Sequence, residues 1–195
     1  MNFKQDVKLA FVFRGAIAVT LGLSTIALQP QSAFGAEKVK LIYGPFNAKI
    51  SVESLEKYAS TGEITGEFRL YSKFVDKKTL AQLRHWLSNR FECDLVEIYK
   101  FTHTSEGKKF LQELGTVIKT HHERNGFYAI RSSLIKTADK PGNSDGWTVI
   151  EAMQNFPTED LQIDTKDLFK LQKFWAENPD KNQTALEIFS SRAEK

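Results

Sequence analysis

The sequence predicts a mainly α-helical domain, a helical bundle with a short amino-terminal β-hairpin that can pair with a late short strand. Three observations lead there. Apolar residues recur at three- and four-residue steps through most of the chain after Ser51, the spacing of a helix with one buried face. Alternation with a period of two is confined to residues 38–50 and to Leu161-Gln162-Ile163. Side chains able to cap a helix stand ahead of most of the helical runs.

In the hairpin, Val39, Leu41 and Tyr43 share one side, Gly44-Pro45 breaks the run, and Phe46, Ala48 and Ile50 resume it. Ser51 offers its hydroxyl to the free amides of a helix over residues 52–60. That helix has Glu53 in its positive first turn, turns Leu55, Tyr58 and Ala59 toward a core, and ends at Gly62. Asp76 caps the next run, in which Leu80, Leu83, Leu87 and Phe91 form the apolar stripe and Lys77, Lys78, Arg84 and Arg90 lie mostly away from it. Asp94 with Glu97 makes a capping-box start for residues 95–101, and Thr104 caps a longer helix burying Phe110, Leu111, Leu114, Val117 and Ile118.

Asn125-Gly126 opens a helix carrying Phe127, Ile130, Leu134 and Ile135. Residues 140–146 collect turn formers and read as a loop, after which Trp147, Val149, Ile150 and Met153 mark a short helix stopped by Phe156-Pro157. The brief strand at Leu161 and Ile163 can bring the two ends of the domain together, before Asp164 caps a helix bearing Leu168, Leu171 and Trp175. From Asn178-Pro179 onward the chain reads as a polar tail with one short amphipathic turn at Ala185, Leu186 and Phe189. There is no internal repeat.

The first 35 residues read as an export signal. Lys4, Lys8 and Arg14 supply a positive start, Gly15 to Leu28 an uncharged run of 14 residues, and Ala33-Phe34-Gly35 puts small residues where a signal peptidase reads. Gln29-Pro30-Gln31 cuts the run short of the roughly 20 residues a bilayer requires, so no stable membrane anchor is expected. Cleavage near Gly35 places residues 36–195 in an extracytoplasmic space: periplasm, thylakoid lumen or exterior. It also leaves 24 basic against 23 acidic side chains, with no basic stripe to suggest nucleic acid. The domain then spans residues 36–177 and the tail 178–195. The lone Cys93, beside Glu92 and Asp94, is read as a buried small hydrophobe rather than a nucleophile, because neighbouring carboxylates raise a thiol pKa.

Motifs with chemical content are weak. Gly142-Asn143-Ser144-Asp145-Gly146 matches the nucleophile-elbow pattern, but a helix precedes it and His85, His103, His121 and His122 all come before Ser144, where the elbow needs a later histidine. His121-His122-Glu123 lacks the spacing that puts two imidazoles on one helix face, so no metal is expected. His85 and His103 read as surface groups. No cofactor signature is present. Phe169, Phe174 and Trp175 on one late helix fit a well-filled core or an apolar face, and Asn182-Gln183-Thr184 fits a glycosylation acceptor too common to weigh.

Four ordered segments carry a resemblance: Leu41-Ile42-Tyr43-Gly44-Pro45-Phe46, residues 50–64, Asn125-Gly126-Phe127-Tyr128-Ala129-Ile130-Arg131, and Phe156-Pro157-Thr158 followed by Ile163-Asp164. Together they resemble the cyanobacterial domain of unknown function that precedes the catalytic region of exported alpha/beta hydrolases. The likeness runs from about Lys38 to Trp175. It implies a mostly helical segment with no catalytic residues to carry over, and this chain lacks the strand–helix alternation, elbow and late histidine of a hydrolase domain. The expected function is a non-catalytic exported accessory module whose partner is an alpha/beta hydrolase. The alternative is a carrier of an apolar ligand or lipid, and the third reading a serine hydrolase using Ser144. Tyr43, Phe46, Phe127 and Tyr128 form the candidate interaction surface, although the same four fit a core equally well.

Overall fold

The computed structural model describes residues 35–43, 45–120, 124–140, 145–181 and 183–190. The alternating segment forms the expected hairpin. β1 (Lys38–Tyr43) and β2 (Phe46–Ser51) pair antiparallel from Lys38↔Ser51 to Tyr43↔Phe46. Side chains alternate between the two faces of a strand, so Val39, Leu41 and Tyr43 share a face with their partners Ile50, Ala48 and Phe46. Val39 and Ile50 anchor that face in the core at 1% and 2% exposure.

The caps read from the sequence act as written. The Ser51 hydroxyl accepts the Ser54 amide at 3.3 Å to start α1 (Val52–Thr61), and Gly62 ends it in the left-handed region at φ 78°, donating its amide to the Tyr58 carbonyl. Only glycine enters that region without steric cost, and the Arg84 guanidinium occupies the space a side chain there would need. After a short α2 (Phe68–Ser72), whose Phe68 meets Tyr58 edge-on at 5.1 Å, Asp76 caps α3 (Lys77–Ser88). Its carboxylate accepts the Thr79 hydroxyl at 2.6 Å and amide at 2.9 Å, bonds that hold the carboxyl below its ordinary range.

Helix α3 stops at Ser88. Phe91 therefore leaves the stripe predicted for it and sits on β3 (Arg90–Phe91), a two-residue strand. Asp94 and Glu97 complete a capping box on α4 (Leu95–His103), and Thr104 caps α5 (Ser105–Val117). Ile118, expected to extend α5, turns extended instead and opens β4 (Ile118–Thr120). β5 (Arg124–Asn125) leads into α6 (Phe127–Ala138). Trp147 belongs not to a helix but to β6 (Trp147–Thr148), which pairs with β3, and Thr148 forms a second capping box with Glu151 on α7 (Val149–Gln154).

The late strand expected at residues 161–163 is β7 (Asp160–Asp164), and it pairs with β1 in parallel, Val39 opposite Leu161. The fold is thus mainly helical with amino-terminal strands, but its sheet is larger than the expected hairpin plus one strand. Five strands run in the order β2-β1-β7-β4-β5, a mixed sheet with the β1–β7 pair parallel and the other pairs antiparallel. β4 and β5 escape sequence reading because Ile118 continues the spacing of α5 and a two- or three-residue strand displays no period.

Asp164 caps α8 (Thr165–Glu177), and after a single 3-10 turn at Pro179–Lys181 the amphipathic turn expected near Ala185 proves to be a full helix, α9 (Gln183–Ser190). Ala185 is buried, and the Phe189 ring stands edge-on to Phe91, Phe101 and Trp147 and stacks on Phe110, with centroids 5.7–6.4 Å apart. Phe110 stacks in turn on Trp175 at 4.7 Å. One aromatic cluster thereby ties α4, α5, α8 and α9 to the small β3–β6 ladder.

Among the described residues the polar side-chain atoms inside are partnered except the side-chain oxygen of the buried Gln162. Thr137 donates to the Ser133 carbonyl at 2.7 Å and accepts from the Asn155 amide at 3.1 Å, which also donates to the Glu151 carbonyl at 3.0 Å. The Trp147 indole donates to the Cys93 carbonyl at 3.1 Å. Cys93 is buried and unbridged, as expected, and burial pushes its thiol up to about 11.

Candidate interaction surface

The sheet register decides where the four candidate aromatics lie. β1 and β7 are parallel with Ile42 opposite Asp164, so both finish at one end of the sheet. β4 starts at that end, Ile118 opposite Ile163, and runs down to Thr120; β5 climbs back from Arg124 opposite Thr120 to Asn125 opposite Lys119. The next two residues bring the chain to Phe127 at the same end as Tyr43. Tyr43 and Phe46 cross at the tip of β1 and β2, toward one lateral edge, while Phe127 and Tyr128 leave from β5 at the other edge.

Exposure separates them. The core-facing ladder of the hairpin runs from the buried Val39·Ile50 pair through the half-buried Leu41 and Ala48 to Tyr43 and Phe46, which are 59% and 73% exposed. An apolar face that fills the core at one end thus continues in register into water at the other. Phe127 is half-buried against the core, and its ring meets the exposed Tyr128 edge-on at 4.8 Å. Three of the four candidates are therefore surface aromatics, and Phe127 is the packing residue beneath one of them.

Two glycines position that pair. The Gly126 amide donates to the Gly115 carbonyl at 2.9 Å, and a side chain on Gly126 would run into the Ile118 carbonyl. The Asn125 side-chain carbonyl accepts the Phe127 amide at 2.9 Å and stands in for the missing cap of α6. Helix α5 can approach the start of α6 this closely only because both contact residues lack a Cβ.

The Phe169, Phe174 and Trp175 trio does not form one face. Phe169 is exposed, one turn beyond the start of α8, where the Thr165 hydroxyl donates to the Ile42 carbonyl at 2.8 Å. Trp175 turns inward, stacking on Phe110 and donating its indole N–H to Glu113 at 2.9 Å. Their spacing already separates them, since positions five apart and adjacent positions point to different sides of a helix with 3.6 residues per turn.

Both ring nitrogens of His103 are committed to neighbouring groups. His103 Nδ1 lies 2.6 Å from the Tyr99 carbonyl, which only accepts, so Nδ1 must carry a proton; Nε2 faces the Arg131 guanidinium, a donor, and must accept. That arrangement links α4 to α6 and leaves no ring nitrogen open. Ser144, His121-His122-Glu123, Asn182 and the first 34 residues lie outside the described residues. Among the described residues no group of three or more His, Cys, Asp or Glu could hold a metal ion, and no helix is long and apolar enough to cross a membrane. A cavity of about 240 Å³ opens between α4, α5 and α9, lined by Phe101, Phe110 and Ala185 and by the carboxylates of Glu106, Asp180 and Glu187.

Architecture and register together define the class: a mainly helical domain built on a small mixed sheet, not the alternating strand–helix order that builds a parallel sheet covered on both faces. The chain belongs to the family described as alpha/beta hydrolase of unknown function (DUF1400), whose match covers residues 35–164. No curated protein and no solved structure matches it. The matched residues include the hairpin, β7 and every helix from α1 to α7, so the part that carries the family's name is the helical domain itself.

Proposed function

We propose that this protein is an exported, non-catalytic accessory module that binds an alpha/beta hydrolase through the aromatic end of its sheet. The observation that carries the reading is the Tyr43·Phe46 pair, an in-register extension of the core-facing ladder left in water. Isolated exposed apolar residues need no explanation, whereas an aligned aromatic pair continuous with the core is the form an unfilled interface takes. The choice of an alpha/beta hydrolase as partner is suggested by the description of the family to which the chain belongs.

Export is supported by where the family match begins. The family match starts at residue 35, and Ala36, the first residue after the expected cleavage, is buried with its amide donating to the Met153 carbonyl at 3.1 Å. Processing after Gly35 would leave the domain whole. The carrier reading fares less well against the cavity between α4, α5 and α9, which falls below the ~300 Å³ at which ligand pockets begin and is walled by carboxylates. A fatty chain would gain little there.

The decisive test is affinity capture from an extracytoplasmic fraction with the mature chain as bait, followed by labelling of the eluate with a fluorescent fluorophosphonate. The expected result is a labelled serine hydrolase among the captured proteins and no label on the bait. Label on the bait at Ser144 would replace this function with a catalytic one.

A further inference from the structure

Between α2 and α3 the chain exposes a second apolar feature of a different kind. Leu70 and Phe74, four residues apart and so on one side of the turn, are 60% and 89% exposed, and Val75 beside them is also open. The fold gives these side chains no packing role, since Phe68 and Tyr71 are the residues of this segment that face the core. The backbone beneath them is nonetheless fixed. The Phe74 amide donates to the Tyr71 carbonyl at 3.0 Å and the Val75 amide to Ser72 at 3.2 Å, so the tip is held out in advance.

Charge surrounds this tip asymmetrically. Residues 69–78 contain Arg69, Lys73, Lys77 and Lys78 against the single Asp76, a balance of +3, whereas the remaining residues from 36 onward sum to −2. All five charged residues are exposed, and among the described residues none of the three lysines is ion-paired. Asp76 is occupied by the Thr79 amide and hydroxyl. In the sequence Lys77 and Lys78 read as the solvated side of α3 and no basic stripe stands out, because the apolar tip they surround belongs to the preceding turn.

We infer that the α2–α3 corner is a peripheral membrane-docking site, in which Phe74 and Leu70 enter the interfacial layer of a bilayer while Lys73, Lys77 and Lys78 bind anionic headgroups. A protruding apolar tip collared by flexible ammonium groups suits a fluid surface that closes around it. Protein interfaces are depleted in lysine at their centre, which disfavours a protein occupant for this corner. The docking is reversible and involves no spanning segment, in keeping with the absence, among the described residues, of a helix able to cross a bilayer. It is independent of the hydrolase-binding reading, because none of its residues is Tyr43, Phe46, Phe127 or Tyr128.

Sedimentation of the purified mature chain with vesicles tests it. The chain should pellet with vesicles of phosphatidylcholine containing phosphatidylglycerol, not with phosphatidylcholine alone, and should be released at high ionic strength. Each lysine should contribute about fivefold, so the Lys73→Ser, Lys77→Ser, Lys78→Ser variant should bind on the order of a hundredfold more weakly. Phe74→Ser should lose at least about tenfold, the range expected for burying one aromatic side chain. Both variants alter exposed side chains and should keep the wild-type circular dichroism and melting temperature, which separates lost docking from lost folding. Equal pelleting with both lipid compositions, binding unchanged in either folded variant, or capture of a protein through this corner without any vesicle binding would each overturn the assignment.

Discussion

Replacing Tyr43 and Phe46 together with threonine should abolish partner capture while barely touching the fold. At ~200 Å² per aromatic side chain, exposures of 59% and 73% leave about 260 Å² of this pair in water. Covering all of it would contribute at most ~6 kcal/mol at ~25 cal/mol per Å², and covering half of it ~3 kcal/mol, on the order of a hundredfold in affinity. The free domain has much less at stake. Threonine retains the extended backbone preference, and the loss of one cross-strand aromatic pair is worth ~0.2–1 kcal/mol, or at most about 4 °C in melting temperature for a domain of this size. Capture with wild-type and variant baits, read by fluorophosphonate labelling of the eluate, should show the hydrolase band with the first only. If the variant folds normally and still captures the band at equal yield, the sheet end is not the interface and the argument from its uncovered ladder fails.

Two further predictions concern the fold that holds this surface. Phe189→Ala removes the ring shared by Phe91, Phe101, Phe110 and Trp147; since Phe189 is only half-buried, the loss should fall near ~2–3 kcal/mol, below the full cost of a buried phenylalanine, in urea melts monitored by tryptophan fluorescence. An unchanged midpoint would mean that α9 does not hold the domain together. Cys93 predicts an alkaline sensitivity: its thiol stays protonated to about 11 when folded but ionises near 9.0 when unfolded, so the stability it contributes is complete below pH 9 and drains away as pH rises to about 11. Thermal melts across that window should fall more steeply for wild type than for Cys93→Ala, and Ellman's reagent should react only with the denatured chain.

Much of the fold was legible because helix starts are written in a few adjacent residues. Ser51 with Ser54, Asp76 with Thr79, Asp94 with Glu97 and Thr104 with Gly107 are each closed by partners three positions away, which is why their caps could be read without tertiary information. The hairpin and the late strand at Leu161 and Ile163 announced themselves by their alternation, whereas the parallel direction of the β1–β7 pair was not legible in the sequence. Phe91, Ile118 and Trp147 were misassigned for one reason. Each continues or opens a helical spacing in the sequence but pairs across 45 to 56 positions, with Trp147, Ile163 and Phe91 respectively, and a pairing of that range leaves no local mark.

The candidate surface divides along the same line. Sequence by itself determined the identity of the aromatic residues, the caps that start the helices and the alternation that puts Tyr43 on the core-facing side of its strand. Tertiary structure alone decided that Tyr43, Phe46 and Tyr128 are largely exposed while Phe127 and Trp175 are half-buried, that β4 and β5 carry Phe127 to the end of the sheet where the hairpin finishes, and that α9 closes the aromatic cluster. The physical reason is that periodicity and capping arise between neighbours in the chain, whereas burial is set by whatever distant segment arrives to cover a side chain, and here nothing within the described residues covers the last rung of the ladder.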